Sequence, residues 1–130
     1  MIVVDASALV EVLLGGSASG PITKRLFGRG DTVHAPHLID LEATQAIRRY
    51  FLSGVTDLDR SQGAVQELVG FPLVRHRHDA FLHRIWELRH NVTAYDAAYL
   101  TLAEALGAPL VTRDAKLAAT TGHRARVELL

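Results

Sequence analysis

Residues 91–117, NVTAYDAAYLTLAEALGAPLVTRDAKL, join a helix that opens on an acid to a strand that ends on one. Thr93 with Asp96 three residues on predicts a helix start, because side-chain oxygens there accept from the free N–H groups of the first turn. Strong helix formers follow, from Ala97 to Leu106. Gly107 stops the helix and Pro109 prevents its resumption. Leu110-Val111-Thr112 then has the apolar character of a strand buried in a parallel sheet, and Asp114 follows at its end. In an alternating α/β domain, ligands bind outside the carboxyl ends of the strands. Asp96 and Asp114 are therefore candidates for one site, although either alone is also a plain helix cap.

The same arrangement recurs elsewhere. Ile2-Val3-Val4 reads as a buried strand ended by Asp5, and residues 6–14 carry a helical apolar face stopped by Gly15-Gly16. A second helix runs from Ser19-Gly20-Pro21 to Gly28. A strand is expected at 32–35, and Pro36 leads into a helix ending near Ser53. In that helix Glu42 shares a four-residue row with Leu38, Ala46 and Tyr50, which predicts that it points toward the core side. A carboxylate so placed must be paired, protonated or bound to a metal. Thr56-Asp57 opens another helix, with Leu58, Val65, Leu68 and Val69 expected inward. Phe71-Pro72-Leu73-Val74 is expected as a strand at a sheet edge or at a strand's start. A basic segment follows, with Arg75, His76, Arg77, His78, His83, Arg84, Arg89 and His90. Phe81, Leu82, Ile85, Trp86 and Leu88 give it a helical apolar face. His76 and His78 lack a third ligand at a recognisable spacing, whereas zinc sites use three or four. The chain ends in a strand at 126–130.

Composition narrows the classes. A chain of 130 residues with 48% hydrophobic content supports one domain spanning 1–130, with a packed core. It has no cysteine, hence no disulfide framework or thiolate metal site, which suits a reducing, cytoplasmic setting. There is no signal-peptide pattern and no apolar run of membrane-spanning length, so no membrane association is expected. The formal net charge is zero, so any nucleic acid must be held by a local patch. The basic residues are 12 Arg against 2 Lys, and Arg suits bidentate phosphate contacts.

Right-handed crossovers bring the strand ends of a parallel sheet to one edge, so Asp5, Glu42, Asp96 and Asp114 are expected to converge. Two carboxylates ~5 Å apart repel by about 3 kcal/mol at an effective dielectric of ~20, whereas a cap contributes about 1 kcal/mol. Convergence therefore calls for a divalent cation, and oxygen-only ligands favour Mg²⁺ or Mn²⁺ over Zn²⁺.

Asp5-Ala-Ser7 after an apolar strand, Glu42 before Ile47-Arg48-Arg49, Tyr95-Asp96-Ala-Ala-Tyr99-Leu100, and Leu110-Val111-Thr112-Arg113-Asp114 together resemble the PIN-domain ribonucleases. Among these the chain is similar to the VapC-type toxins of bacterial toxin–antitoxin pairs. The resemblance implies an α/β fold, a three-layer α/β/α sandwich with a mainly parallel central sheet. It also implies Mg²⁺-dependent RNA cleavage, a homodimer, and a small cognate antitoxin that blocks the site. Asp5, Glu42, Asp96 and Asp114 match the family's acidic positions, with Asp5, Asp96 and Asp114 as metal ligands. Ser7 and Thr112 match the hydroxyl positions beside them. Leu117 stands where some relatives carry a further acid. For RNA binding, the expected cations are Arg75, Arg77, Arg84 and Arg89, with Arg48, Arg49 and Arg113 as the other concentration. The competing readings are a phosphoaspartyl phosphatase with Asp5 as nucleophile, and a non-catalytic interaction domain whose acids only cap helices.

Overall fold

The computed structural model describes all 130 residues, Met1–Leu130. Segments of three or four residues form the strands β1 (Ile2–Val4), β2 (Val33–Pro36), β3 (Leu73–His76), β4 (Leu110–Thr112) and β5 (Val127–Leu129), of which β1 is wholly apolar. They make one sheet in the order β3-β2-β1-β4-β5, with every neighbouring pair parallel. Ile2, Val3, Val4, Leu110 and Val111 are all 0% exposed, as strands covered on both faces require.

The connecting helices are α1 (Ala6–Leu13), α2 (Ser19–Phe27), α3 (Ile39–Leu52), α4 (Leu58–Gly70), α5 (Leu82–Glu87), α6 (Ala94–Leu106) and α7 (Ala115–Ala118). From β1 the chain steps outward to β2 and β3, then returns across the sheet to β4. Right-handed crossovers therefore put α1 to α4 on one face and α5 and α6 on the other. The packing agrees, because α1 touches α2, α3 and α4, while α6 lies against α5, β1, β2 and β4. The reversal makes the gap between β1 and β4 the topological switch point, where a crevice opens beyond the strand ends. No helix is long and apolar enough to cross a membrane.

Several expected boundaries and faces move. Pro36 does not open a helix; it is the last residue of β2, paired with His76, and His37 N–H bonds the His76 carbonyl beyond it. The third strand begins at Leu73 rather than Phe71, so Arg75 and His76 belong to it, on the sheet's edge as Pro72 requires. His34 is tolerated in the buried β2 because its ring nitrogens meet Thr32 Oγ1 at 2.7 Å and His76 Nε2 at 2.8 Å. In α4 the buried face is Ser61, Ala64 and Leu68, while Leu58, Val65 and Val69 are exposed. In the next helical segment Ile85 and Leu88 are buried, but Leu82 and Trp86 face outward.

Candidate active site

A cleft of about 920 Å³ opens at the switch point, and Asp5, Glu42, Asp96 and Asp114 all line it. Four separate stretches of chain thus deliver one acid each to the same cavity.

Asp5 is 6% exposed and continues β1 into α1. It occupies the N-cap position yet caps nothing with its side chain. Its Oδ2 instead accepts two short hydrogen bonds, from Ser7 Oγ and from Thr112 Oγ1, each at 2.6 Å. Pairing of Val4 with Val111 brings Thr112 alongside Asp5. Both hydroxyls also serve as acceptors, Ser7 Oγ from Arg113 N–H at 2.9 Å and Thr112 Oγ1 from Asp114 N–H at 2.9 Å. Each hydroxyl proton is therefore committed to Asp5, and the 3.3 Å approach of Ser7 Oγ to Thr112 Oγ1 is a consequence of their shared acceptor. Asp5 Oδ2 is held on two sides, which fixes the carboxylate as a side chain prepared to bind through its other oxygen.

Asp96 sits in the first turn of α6. Thr93 Oγ1 accepts from Asp96 N–H at 3.2 Å, but the Asp96 carboxylate returns no hydrogen bond to Thr93. Only half of the capping box is present, so capping does not account for the acid. Burial raises the Asp96 pKa above the usual carboxylate range, and the charges of Asp5 and then Asp114 raise it further. Asp114 does cap: its Oδ1 accepts from Lys116 N–H at 2.8 Å and Leu117 N–H at 3.3 Å, leaving Oδ2 uncommitted.

Glu42 lies in the first turn of α3 and is half-buried. Its row runs along the margin of the core, with Leu38 and Ala46 partly buried against it. The fully buried row is Ile39, Ala43 and Ile47, one position around the helix, and Tyr50 is exposed. The row of Glu42 instead forms a cleft wall with Ala46 and Tyr50. Burial raises the Glu42 pKa first, a hydrogen bond from Tyr99 opposes this, and the charges of Asp5 and Asp96 add to the rise. The mutual repulsion expected of converging acids is thus present between Glu42, Asp5 and Asp96.

The donor set fits a hard divalent cation. It consists of carboxylate oxygens without thiolate or imidazole, backed by hydroxyls that orient Asp5. No three His, Asp or Glu side chains are grouped closely enough to hold an ion by themselves. Asp5, Asp96 and Asp114 line the same cleft, and Asp114 Oδ2 is uncommitted.

The expected basic segment does not line this cleft. Arg75 forks onto Asp40, with Nε 2.8 Å from Oδ2 and Nη2 2.8 Å from Oδ1. Arg77 pairs with Asp79. Arg84 joins Glu104 and Glu87, and Arg89 lies 4.9 Å from the Trp86 ring centroid. The cations in the cleft are Arg49, Arg60 and Arg113. Arg49 makes no ion pair, Arg60 donates to the Leu14 carbonyl, and Arg113 is held by Glu11. Glu11 is a fifth acid in the wall, hidden in the sequence because its partner is 102 residues away.

Arg84 accordingly has a structural test. Glu104 is 7% exposed, and Arg84 meets it with two N–H···O bonds of 3.0 Å. Removing the guanidinium takes two hydrogen bonds from a carboxylate that keeps only the Arg124 N–H at 2.8 Å and the Arg124 guanidinium at 3.9 Å, so Arg84→Ala is expected to lose about 1–2 kcal/mol of stability in chemical denaturation. A change below ~0.5 kcal/mol would contradict that role.

Comparison with known proteins adds an independent line. A family model described as the PIN domain matches residues 2–122. Ribonuclease VapC12 of Mycobacterium tuberculosis is 40% identical over 130 residues, covering 100% of this chain and 99% of its own. Ribonuclease VapC1 of the same organism is 39% identical over 129 residues, covering 98% and 96%. Among solved structures, the M. tuberculosis toxin VapC20 superposes with a TM-score of 0.67 at 19% identity, covering 95% of this chain and 97% of that one. PAE2754 from Pyrobaculum aerophilum gives 0.66 at 25% identity, covering 97% and 87%.

Proposed function

This chain belongs to the PIN-domain family, among the VapC-type ribonucleases, and we propose accordingly that it is an Mg²⁺- or Mn²⁺-dependent endoribonuclease, the toxin of a toxin–antitoxin pair. The observation that carries the reading is the convergence of Asp5, Glu42, Asp96 and Asp114 on one cleft, with Asp96 and Glu42 titrating high because they are buried beside other acids.

Asp5 and Asp96 would bind the ion and Asp114 would complete the site, directly or through water. When bound, a divalent cation supplies a more acidic water and neutralises charge developing on phosphoryl oxygens. Ser7 and Thr112 hold Asp5 in place, each donating its hydroxyl hydrogen bond to Oδ2. Glu42, with its raised pKa, stands as the base that orients the attacking water and takes its proton. Attack in line on the phosphorus would leave a 5′-phosphate and a 3′-hydroxyl.

RNA would enter along the wall that carries Arg49, Arg60 and Arg113. Arg75, Arg77 and Arg84 are expected to contribute less, since acids already match their charges. Neutralising the three cleft arginines together should flatten the dependence of log K on log salt by about 2, or ~0.7 for each single-strand phosphate no longer neutralised. An unchanged slope, or an equal change on neutralising Arg75 and Arg77, would move the RNA path elsewhere. The reading also includes a homodimer and a small antitoxin.

A further inference from the structure

Tyr99 is 0% exposed, and its Oη donates to Glu42 Oε1 across 3.0 Å. The two residues belong to helices on opposite faces of the sheet, α6 and α3, and meet beyond the strand ends. We propose that Tyr99 is a positioning residue for RNA cleavage, its phenolic O–H setting Glu42 against Asp5 and Asp96. The inference rests on the ribonuclease reading.

Three observations carry it. A core position so enclosed would be filled as well by Phe, and an unpaired buried hydroxyl would be costly, so the hydroxyl must be satisfied. Its hydrogen-bond partner is Glu42, the acid that no other side chain holds, whereas Asp5 has Ser7 and Thr112. Tyr99 lies three residues after Asp96 on one helix, so both face the same side. A single rigid helix therefore sets Asp96 directly and Glu42 through Tyr99. Glutamate has three side-chain torsions and stands at an open cleft, so without this tie it samples several rotamers.

The test is a double-mutant cycle of Tyr99→Phe and Glu42→Gln, read by single-turnover RNA cleavage and by melting temperature in chelator. Tyr99→Phe should lower kcat about 10- to 100-fold with KM within about twofold, the range for removing a partner that orients a catalytic group. In the Glu42→Gln background the same change should alter kcat less than about threefold, because the group it positions is no longer a base. Wild-type kcat in Tyr99→Phe would overturn the proposal. So would an equal loss in both backgrounds, or coupling seen in melting and absent from kcat. If the wild-type protein cleaves no RNA with Mg²⁺ or Mn²⁺, the ribonuclease reading itself falls, and the role of Tyr99 with it.

Discussion

Asp5→Asn and Asp96→Asn are each expected to reduce RNA cleavage by at least about a hundredfold while the protein stays folded. A hundredfold corresponds to ~2.7 kcal/mol of transition-state stabilisation, within reach of one ligand charge at a site that must gather a cation and a phosphodiester. The amide keeps the shape of the side chain. At position 5 its carbonyl can still accept from Ser7 and Thr112, so the junction of β1 with α1 is preserved. At position 96 the cap from Thr93 to the backbone N–H is untouched, because the carboxylate takes no part in it. Cleavage assays with circular dichroism melts of the same preparations check both halves. Undiminished cleavage in either folded variant removes that residue from the chemistry.

Asp96→Asn should melt higher than wild type when metal is chelated, and gain less when Mg²⁺ is added. Asp96 and Glu42 both have folded-state pKa values raised above the ordinary carboxylate value of about 4. Over the window between the unfolded and the raised folded pKa, the folded protein binds more protons than the unfolded chain. The stability these groups contribute is therefore complete below pH ~4 and lost as pH rises through their folded pKa. At pH 7 the metal-free protein holds the repulsion unrelieved, and deleting one charge relieves it. A cation that binds the folded state relieves it too, and adds RT ln(1 + [L]/Kd), about 2.7 kcal/mol at a hundredfold excess over Kd. For a chain of this length that is a rise of about 10 °C. A variant that is no more stable in chelator, with a wild-type protein indifferent to Mg²⁺, would mean that the acids do not act as a cluster.

Much of the site was legible because its signals are local. Thr93 before Asp96, Gly107 at φ 59 closing α6, and acids following three-residue apolar runs are read within one turn of chain. They locate β1, α6 and β4, and parallel pairing then gathers the acids. Long-range pairing has no such signature. The register of β3 follows its partner β2, from Val33 against Leu73 to Pro36 against His76, so the strand runs two residues past the segment marked by Pro72. Arg84 finds Glu104 20 residues on, and Arg75 finds Asp40 35 residues back, so a run of arginines that reads as a phosphate patch is largely consumed by ion pairs. Arg49 and Arg60 carry no motif; the folding of α3 and α4 against α1 makes them cleft residues. The row of Glu42 differs from the core row by a single position, too fine a distinction for a four-residue spacing. The capping explanation for the acids divides cleanly: Asp114 is a cap with an oxygen to spare, and Asp5 and Asp96 cap nothing with their carboxylates.

If this cleft hydrolyses RNA through carboxylates acting with a divalent cation, the ends of the product report it. Purified protein incubated with a single-stranded RNA in Mg²⁺ or Mn²⁺ should give fragments with 5′-phosphate and 3′-hydroxyl ends. Chelator should abolish them, and restoring the ion should restore them. Cleavage that persists in chelator, or fragments ending in a 2′,3′-cyclic phosphate, would place the nucleophile on the RNA itself and contradict attack by a metal-activated water.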